Sequence, residues 1–114
     1  MIIYHNPRCR KSRETLKLIQ ETGLVPTIVK YLENPPTAQE LERILKQLGK
    51  RPIEIIRKGE AIYKEQFKGK DLSDQEWIQA MVEHPKLMER PIVVEGERAI
   101  IGRPPENVKV LLES

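Results

Sequence analysis

The chain of 114 residues has few cysteines, few aromatic residues and no long apolar run, which are the features that mark disulfide-rich or membrane proteins. It has one cysteine, so no disulfide can form within the chain, and aromatic residues make up only 4% of it. No apolar run approaches the roughly 20 residues that a membrane-spanning helix needs. The first residues enter a predicted strand at once, which leaves no room for a signal peptide. We therefore expect a cytoplasmic protein with no membrane partner.

Strong charge imbalance is also missing. The net charge is +3, and the 20 lysines and arginines are spread along the chain rather than gathered into a basic run. With so few aromatic residues, this pattern is not typical of a protein that binds nucleic acid. Hydrophobic residues at 39% and charged residues at 32% are ordinary for a single globular domain, which we expect to span residues 1–114.

The one cysteine lies where a strand gives way to a helix. Residues 2–4 predict a short buried strand, Asn6-Pro7 interrupts it, and a helical pattern begins at about Cys9. The free N–H groups and the dipole of a first helical turn favour negative charge, and hence the thiolate form of a cysteine. This location is compatible with a reactive thiol.

The residues around Cys9 favour an anion site. No acidic residue lies between Met1 and Glu14, while His5 precedes Cys9 and Ser12 follows it at a C-x-x-S spacing that allows its hydroxyl to donate to the sulfur or to a bound anion. The nearby cations are Arg8, Arg10, Lys11 and Arg13. The same residues also fit a small buried cysteine beside solvated arginines, so these residues alone leave both interpretations open.

The remaining pattern predicts a mixed α/β fold in the order βαβα, helical insertion, ββα. A β-branched segment at residues 25–31 predicts a second strand, and Thr37 with Glu40 forms a capping box for a helix that ends at Gly49. Residues of about 50–88 look mainly helical. A strand then begins at Pro91, followed by a hairpin and a terminal helix.

The whole pattern resembles one known family. Residues 4–16 resemble the active-site segment of the arsenate reductase (ArsC) family that works with glutathione and glutaredoxin. The resemblance extends in order through the rest of the chain, at residues 31–36, 56–58, 84–85, 90–94 and 103–104. It implies a thioredoxin-like fold with a helical insertion, and a cis peptide bond at Pro91, which faces the cysteine in that fold.

The resemblance also implies roles for six residues. Cys9 is the expected nucleophile towards arsenate or a similar oxyanion, and His5 and Ser12 help to hold its thiolate. Three arginines are the expected oxyanion ligands, although each taken singly also fits a surface arginine: Arg57, Arg90 and Arg103. We expect no bound cofactor and no metal ion.

The implied cycle serves arsenic detoxification. Arsenic is reduced on Cys9 with glutathione as the reducing co-substrate, and glutaredoxin then clears the mixed disulfide between Cys9 and glutathione. The chain has no second thiol to regenerate Cys9, which agrees with an external reductant.

Two alternatives remain. Arg10-Lys11 stand where arsenic-resistance members carry Gly-Thr, which allows a thiol reductase for another oxyanion or for glutathionylated proteins. An Spx-like regulator that binds RNA polymerase is the other, but Ser12 replaces the second cysteine of the C-x-x-C pair used by that branch.

Overall fold

A computed structural model of the protein describes residues 1–113. The chain divides into two compact units. The first combines Met1–Asn34 with the segment from Arg90 onward, and the second is Pro35–Glu89. The prediction of a single domain with an insertion at about 50–88 stays a prediction, and the division observed begins earlier, at Pro35.

The first unit is built on a four-stranded mixed sheet. Its strands are β1 (Ile2–His5), β2 (Thr27–Lys30), β3 (Ile92–Glu95) and β4 (Arg98–Ile101), in the spatial order β2-β1-β3-β4. β1 runs parallel to β2 and antiparallel to β3, and β3 forms an antiparallel hairpin with β4. Because β1 and β2 are parallel, their carboxyl ends lie at the same edge of the sheet.

Helix α1 (Arg10–Glu21) connects β1 to β2, and α5 (Lys109–Leu112) follows a turn of 3₁₀ helix at Pro105–Val108. The core of this unit is a cluster of fully or almost fully buried side chains from α1, α5, the 3₁₀ turn before α5 and the sheet. Its members are Ile3, Ile19, Val93, Val108 and Leu111. Apolar residues at helical spacing on α1 and alternating on the strands produce this one shared face.

The second unit contains α2 (Ala38–Leu48), α3 (Ala61–Gln66) and α4 (Asp74–Glu83), with 3₁₀ turns at Pro52–Ile55 and Pro85–Leu87. Both longer helices begin with complete capping boxes, in which a hydroxyl accepts the third N–H and a glutamate accepts the N–H of the cap residue. Thr37 and Ser73 are these caps. Trp77 of α4 is buried beside the rings of Tyr63 and Phe67.

Most of the predicted elements are confirmed, with differences at their ends. The second strand begins at Thr27 rather than at Val25, because Pro26 offers no N–H for pairing and Val25 points into solvent with 94% of its surface exposed. At the start of the segment predicted to be mainly helical, Pro52–Ile55 forms only a four-residue 3₁₀ turn. Arg90-Pro91 is cis as predicted, and a second cis bond at Arg103-Pro104 was not anticipated. Within residues 1–113, no helix has the length and apolar character needed to cross a membrane.

Candidate active site

Cys9 is the N-cap residue of α1. Its backbone is extended, its side chain makes no capping hydrogen bond, and the first turn of α1 contains no acidic residue. The thiol is 8% exposed. The first-turn N–H groups therefore receive no side-chain cap from residue 9, and the positive end of the helix dipole acts at the sulfur.

Asn6 shapes the loop in front of Cys9 through three hydrogen bonds. Its side-chain Oδ1 accepts the N–H of Arg8 at 3.0 Å, and its carbonyl accepts the N–H of Cys9 at 3.0 Å. Its own N–H donates to Oγ of Ser12 at 3.1 Å. Arg13 adds a fourth hydrogen bond, because its Nη1 donates to the carbonyl of Pro7 at 3.0 Å. These hydrogen bonds fix the conformation of the loop at residues 6–9 in front of α1.

His5 and Ser12 form a buried pair. Nδ1 of His5 lies 2.6 Å from Oγ of Ser12, and both residues are buried. Burial lowers the pKa of His5, and the positive charges of Lys30 and Arg13 lower it further, so the ring is neutral at pH 7.

The partners of the Ser12 hydroxyl decide which nitrogen of His5 carries the proton. Oγ already accepts the Asn6 N–H, and its own proton has no acceptor within residues 1–113 other than Nδ1 of His5. The opposite arrangement would leave a buried hydroxyl proton unpaired, at a cost of about 1–3 kcal/mol. The hydroxyl therefore donates to Nδ1, and the proton of the ring is on Nε2. No hydrogen bond joins Ser12 to Cys9 in the described part of the chain.

Two of the predicted arginines belong to the same compact unit as Cys9. Nη1 of Arg103 lies 3.9 Å from Sγ of Cys9, the long end of a hydrogen bond to sulfur. Nε and Nη1 of Arg90 are buried, and neither atom has a hydrogen-bond partner within residues 1–113. A buried guanidinium with unsatisfied donors is costly, which makes Arg90 a natural ligand for an anion.

Gly102 joins the two arginine segments to α1. Its N–H donates to the carbonyl of Pro91 at 2.9 Å, and its carbonyl lies 3.3 Å from Oγ1 of Thr15, which is fully buried on α1. A Cβ at Gly102 would lie 2.5 Å from Oγ1 of Thr15 and 2.8 Å from Cγ of Pro91. Arg90 directly precedes Pro91, and Arg103 directly follows Gly102. The close backbone approach, which only glycine permits, therefore fixes the backbone positions from which both arginine side chains extend.

Arg57 differs from the other two arginines. It belongs to the second unit, where its guanidinium makes ion pairs with Glu60 and Glu89, the latter at 3.2 Å from Nε. Its role as an oxyanion ligand stays a prediction, and an anion at this guanidinium would compete with two carboxylates already in place.

Three residues of this site were not singled out from the sequence: Asn6, Thr15 and Gly102. Asn-Pro before a helix is a turn signal that draws attention to Asn6. A glycine between a strand and Arg-Pro hints at a close backbone approach, but the sequence gives no sign that Thr15, 87 positions earlier, is the neighbour.

The mixed sheet, the thiol at the start of α1 and the cis proline ahead of β3 define a protein of the thioredoxin-like class. Within residues 1–113, no cluster of three or more His, Cys, Asp or Glu side chains is arranged to hold a metal ion. The Cys9 thiol, with the guanidinium of Arg103 beside it, is what the site offers to a ligand.

Comparison with known proteins identifies the family. A profile of the ArsC family matches residues 4–111, and the chain belongs to that family. Uncharacterized protein YfgD of Escherichia coli is 55% identical over 93% of this chain and 91% of its own length. An arsenate reductase of Haemophilus influenzae is 45% identical over 98% of each chain. The structure of an arsenate reductase from Vibrio cholerae superimposes with a TM-score of 0.92 at 50% identity, over 96% of this chain and 94% of that one. The predicted thioredoxin-like fold is thereby confirmed.

Proposed function

We propose that this protein is an arsenate reductase that uses glutathione and glutaredoxin. Two of its relatives are named arsenate reductases, from H. influenzae and V. cholerae, and each matches nearly the whole chain. The observation that carries the proposal is a helix-start thiol with one guanidinium 3.9 Å from its sulfur, together with a second arginine, Arg90, whose buried Nε and Nη1 have no hydrogen-bond partner within residues 1–113.

The arginines suit a tetrahedral oxyanion. A planar guanidinium donates paired, charge-assisted hydrogen bonds to two oxygens of such an anion, which would satisfy the buried Nε and Nη1 of Arg90. Arg103 lies at the thiol and would hold the same anion against the nucleophile. Arg57 is the third proposed ligand, and it would have to exchange at least one of its carboxylate partners for the oxyanion.

The proposed reaction moves two electrons to arsenic. The Cys9 thiolate attacks arsenate, a sulfur–arsenic bond forms, and one oxygen leaves as water. The thiolate of glutathione then attacks Sγ of Cys9, so a disulfide forms and the electrons of the sulfur–arsenic bond remain on arsenic, which leaves as arsenite. His5 and Ser12 support this chemistry by fixing the loop and the first helical turn that carry Cys9.

Regeneration requires an external thiol. Cys9 is the only cysteine of the chain, so glutaredoxin is proposed to remove glutathione from the mixed disulfide. We propose a cytoplasmic location for the same reason, because that compartment maintains reduced thiols. In this scheme glutathione is a co-substrate, and the protein carries no cofactor of its own.

A second candidate is a thiol reductase for another oxyanion or for glutathionylated proteins. It is favoured by the two cations that directly follow Cys9 in the chain. Arg10 and Lys11 follow the nucleophile directly, and both are exposed. Arg10 is paired with Glu14 along the helix at 2.8 Å, which leaves Lys11 as the added charge most available to a different substrate.

The test is arsenate-dependent oxidation of NADPH in the presence of glutathione, glutaredoxin and glutathione reductase. We expect turnover by the wild type and none by Cys9→Ser. Arg43→Ala should turn over like the wild type, because Arg43 is exposed on α2 of the second unit. Turnover without Cys9 would refute the thiol mechanism. Turnover with another oxyanion or a glutathionylated protein, and none with arsenate, would support the second candidate.

A further inference from the structure

A cavity of about 290 Å³ opens beside the segment that carries the nucleophile. It lies at the edge where the parallel strands β1 and β2 end, and its lining includes His5 and the loop from Asn6 to Arg8, immediately before Cys9. Crevices at the carboxyl ends of parallel strands are the usual ligand sites of α/β proteins. The volume is close to the lower limit of small-molecule sites, which is about 300 Å³.

One ring nitrogen of this cavity has no partner in the described part of the chain. His5 as a residue is 6% exposed, its Nδ1 is bonded to Ser12, and its Nε2 makes no hydrogen bond within residues 1–113. With the ring proton on Nε2, this atom is a donor for a carbonyl or carboxylate oxygen of a ligand.

The charges of the lining are also unpaired. Arg8 and Lys30 make no ion pair within the described part of the chain, and neither does Glu33. Leu32 adds an apolar surface between the charged groups of the β2 end. Two cations, one anion and a neutral donor around a small apolar surface complement a small zwitterion with carboxylates at its ends and one ammonium.

We propose that this cavity is the glutathione site, where Lys30 and Arg8 bind the carboxylates and Glu33 binds the ammonium of the γ-glutamyl group. This inference rests on the proposed function, since it assigns a place to the co-substrate of that reaction. The loop from Asn6 to Arg8 lines the cavity and Cys9 is the next residue, so glutathione bound here would lie beside the segment that carries the nucleophile.

The test uses thiol–disulfide exchange and no arsenate. The Cys9 thiolate attacks one sulfur of glutathione disulfide, a new sulfur–sulfur bond forms, and the second glutathione leaves as a thiolate with the electron pair of the broken bond. The quantity measured is the ratio of the exchange rate constant with glutathione disulfide to that with bis(2-hydroxyethyl) disulfide, which has no charge. The uncharged disulfide corrects for any change in the reactivity of Cys9 itself.

We expect the wild type to prefer glutathione disulfide by about tenfold or more, and Lys30→Gln to lower this ratio about three- to tenfold, as expected for one charge-assisted contact. Lys30→Arg should restore most of the preference. Lys109→Gln is the matched control, because it removes the same charge from an exposed residue of α5, outside the cavity.

Glu33→Gln separates a specific site from general attraction. This change makes the protein more positive, so nonspecific electrostatics would raise the ratio for an anionic disulfide, whereas loss of the ammonium contact would lower it. A ratio near one in the wild type, or a ratio unaffected by both Lys30→Gln and Glu33→Gln, would overturn the assignment. Failure of arsenate turnover with the preference intact would instead count against the proposed function alone.

Discussion

Gly102→Ala tests whether the close approach between the Arg103 segment and α1 holds the site together. The new methyl group would lie 2.5 Å from Oγ1 and 2.9 Å from Cγ2 of Thr15, and 2.8 Å from Cγ of Pro91. Thr15 is fully buried and its hydroxyl donates to the carbonyl of Lys11, so its side chain cannot rotate away easily. Cγ of Pro91 belongs to the rigid proline ring, so it cannot move away easily either. Inserting a methylene-sized group into such a core costs about 1–3 kcal/mol.

A smaller gain partly offsets this cost. Alanine restricts the unfolded chain and stabilises a protein by about 0.4–1 kcal/mol where the backbone accepts it. The net expectation is a loss of about 1–2 kcal/mol. At about 4 °C per kcal/mol for a chain of this size, the midpoint of thermal unfolding should fall by about 4–8 °C, which circular dichroism measures directly.

Gly59→Ala is the matched control. A Cβ at Gly59 would have no neighbour within 4 Å, and the backbone there is not in the left-handed region, so this variant should unfold at or slightly above the temperature of the wild type. The double variant Thr15→Ala with Gly102→Ala removes two of the three short contacts. Its loss of unfolding free energy should be about 1 kcal/mol smaller than the sum of the losses of the two single variants. Equal midpoints for Gly102→Ala and Gly59→Ala would refute the close-approach argument.

Two other predictions follow from His5 and Arg90. Burial and nearby cations lower the pKa of His5, so on acidification the unfolded chain takes up a proton at about pH 6.5, before the folded protein does. The contribution of His5 to stability should therefore be complete above about pH 6.5 and decrease as the pH falls towards the lowered pKa. His5→Asn should reduce this pH dependence, measured as the free energy of urea unfolding at about pH 7 and at about pH 5. Arg90→Met removes two buried donor atoms, Nε and Nη1, that have no partner within residues 1–113. We therefore expect an unfolding free energy equal to that of the wild type or up to about 1 kcal/mol higher, together with at least a tenfold loss of arsenate affinity by calorimetry. A strongly destabilised Arg90→Met variant, or one with unchanged arsenate affinity, would contradict the second prediction, and a pH profile unaltered by His5→Asn would contradict the first.

The parts of the fold that depend on near neighbours in sequence were predictable. The two residues that form each capping box lie within a segment of four residues, and the boxes that begin at Thr37 and Ser73 are both present in the structure. Cys9 was placed at the start of a helix by the apolar strand before it and the helical spacing after it, and it is the N-cap. Local physics decides these features, so one sequence is enough to find them.

Contacts between distant segments were not predictable in the same way. Nothing in the composition shows that Arg57 pairs with Glu89, 32 residues away, or that Thr15 meets Gly102. The hydroxyl of Ser12 was expected to act on the sulfur or a bound anion, and it is instead directed at His5. These choices depend on how strands and helices pack, which a pattern of residue types does not encode.

The position of β2 at one edge of the sheet has a consequence for handling the protein in solution. The opposite edge strand, β4, is partly covered, since the amide of Asn107 donates to the carbonyl of Ile101 at its end. β2 instead leaves Ile28 exposed beside the exposed Val25, a combination that invites pairing between copies and aggregation at high concentration. Pro26 and Lys30 are the residues that oppose such pairing. Samples of Lys30→Gln should accordingly be kept dilute and followed by light scattering. The change removes a charged side chain that disfavours pairing of this edge strand with another copy of the chain.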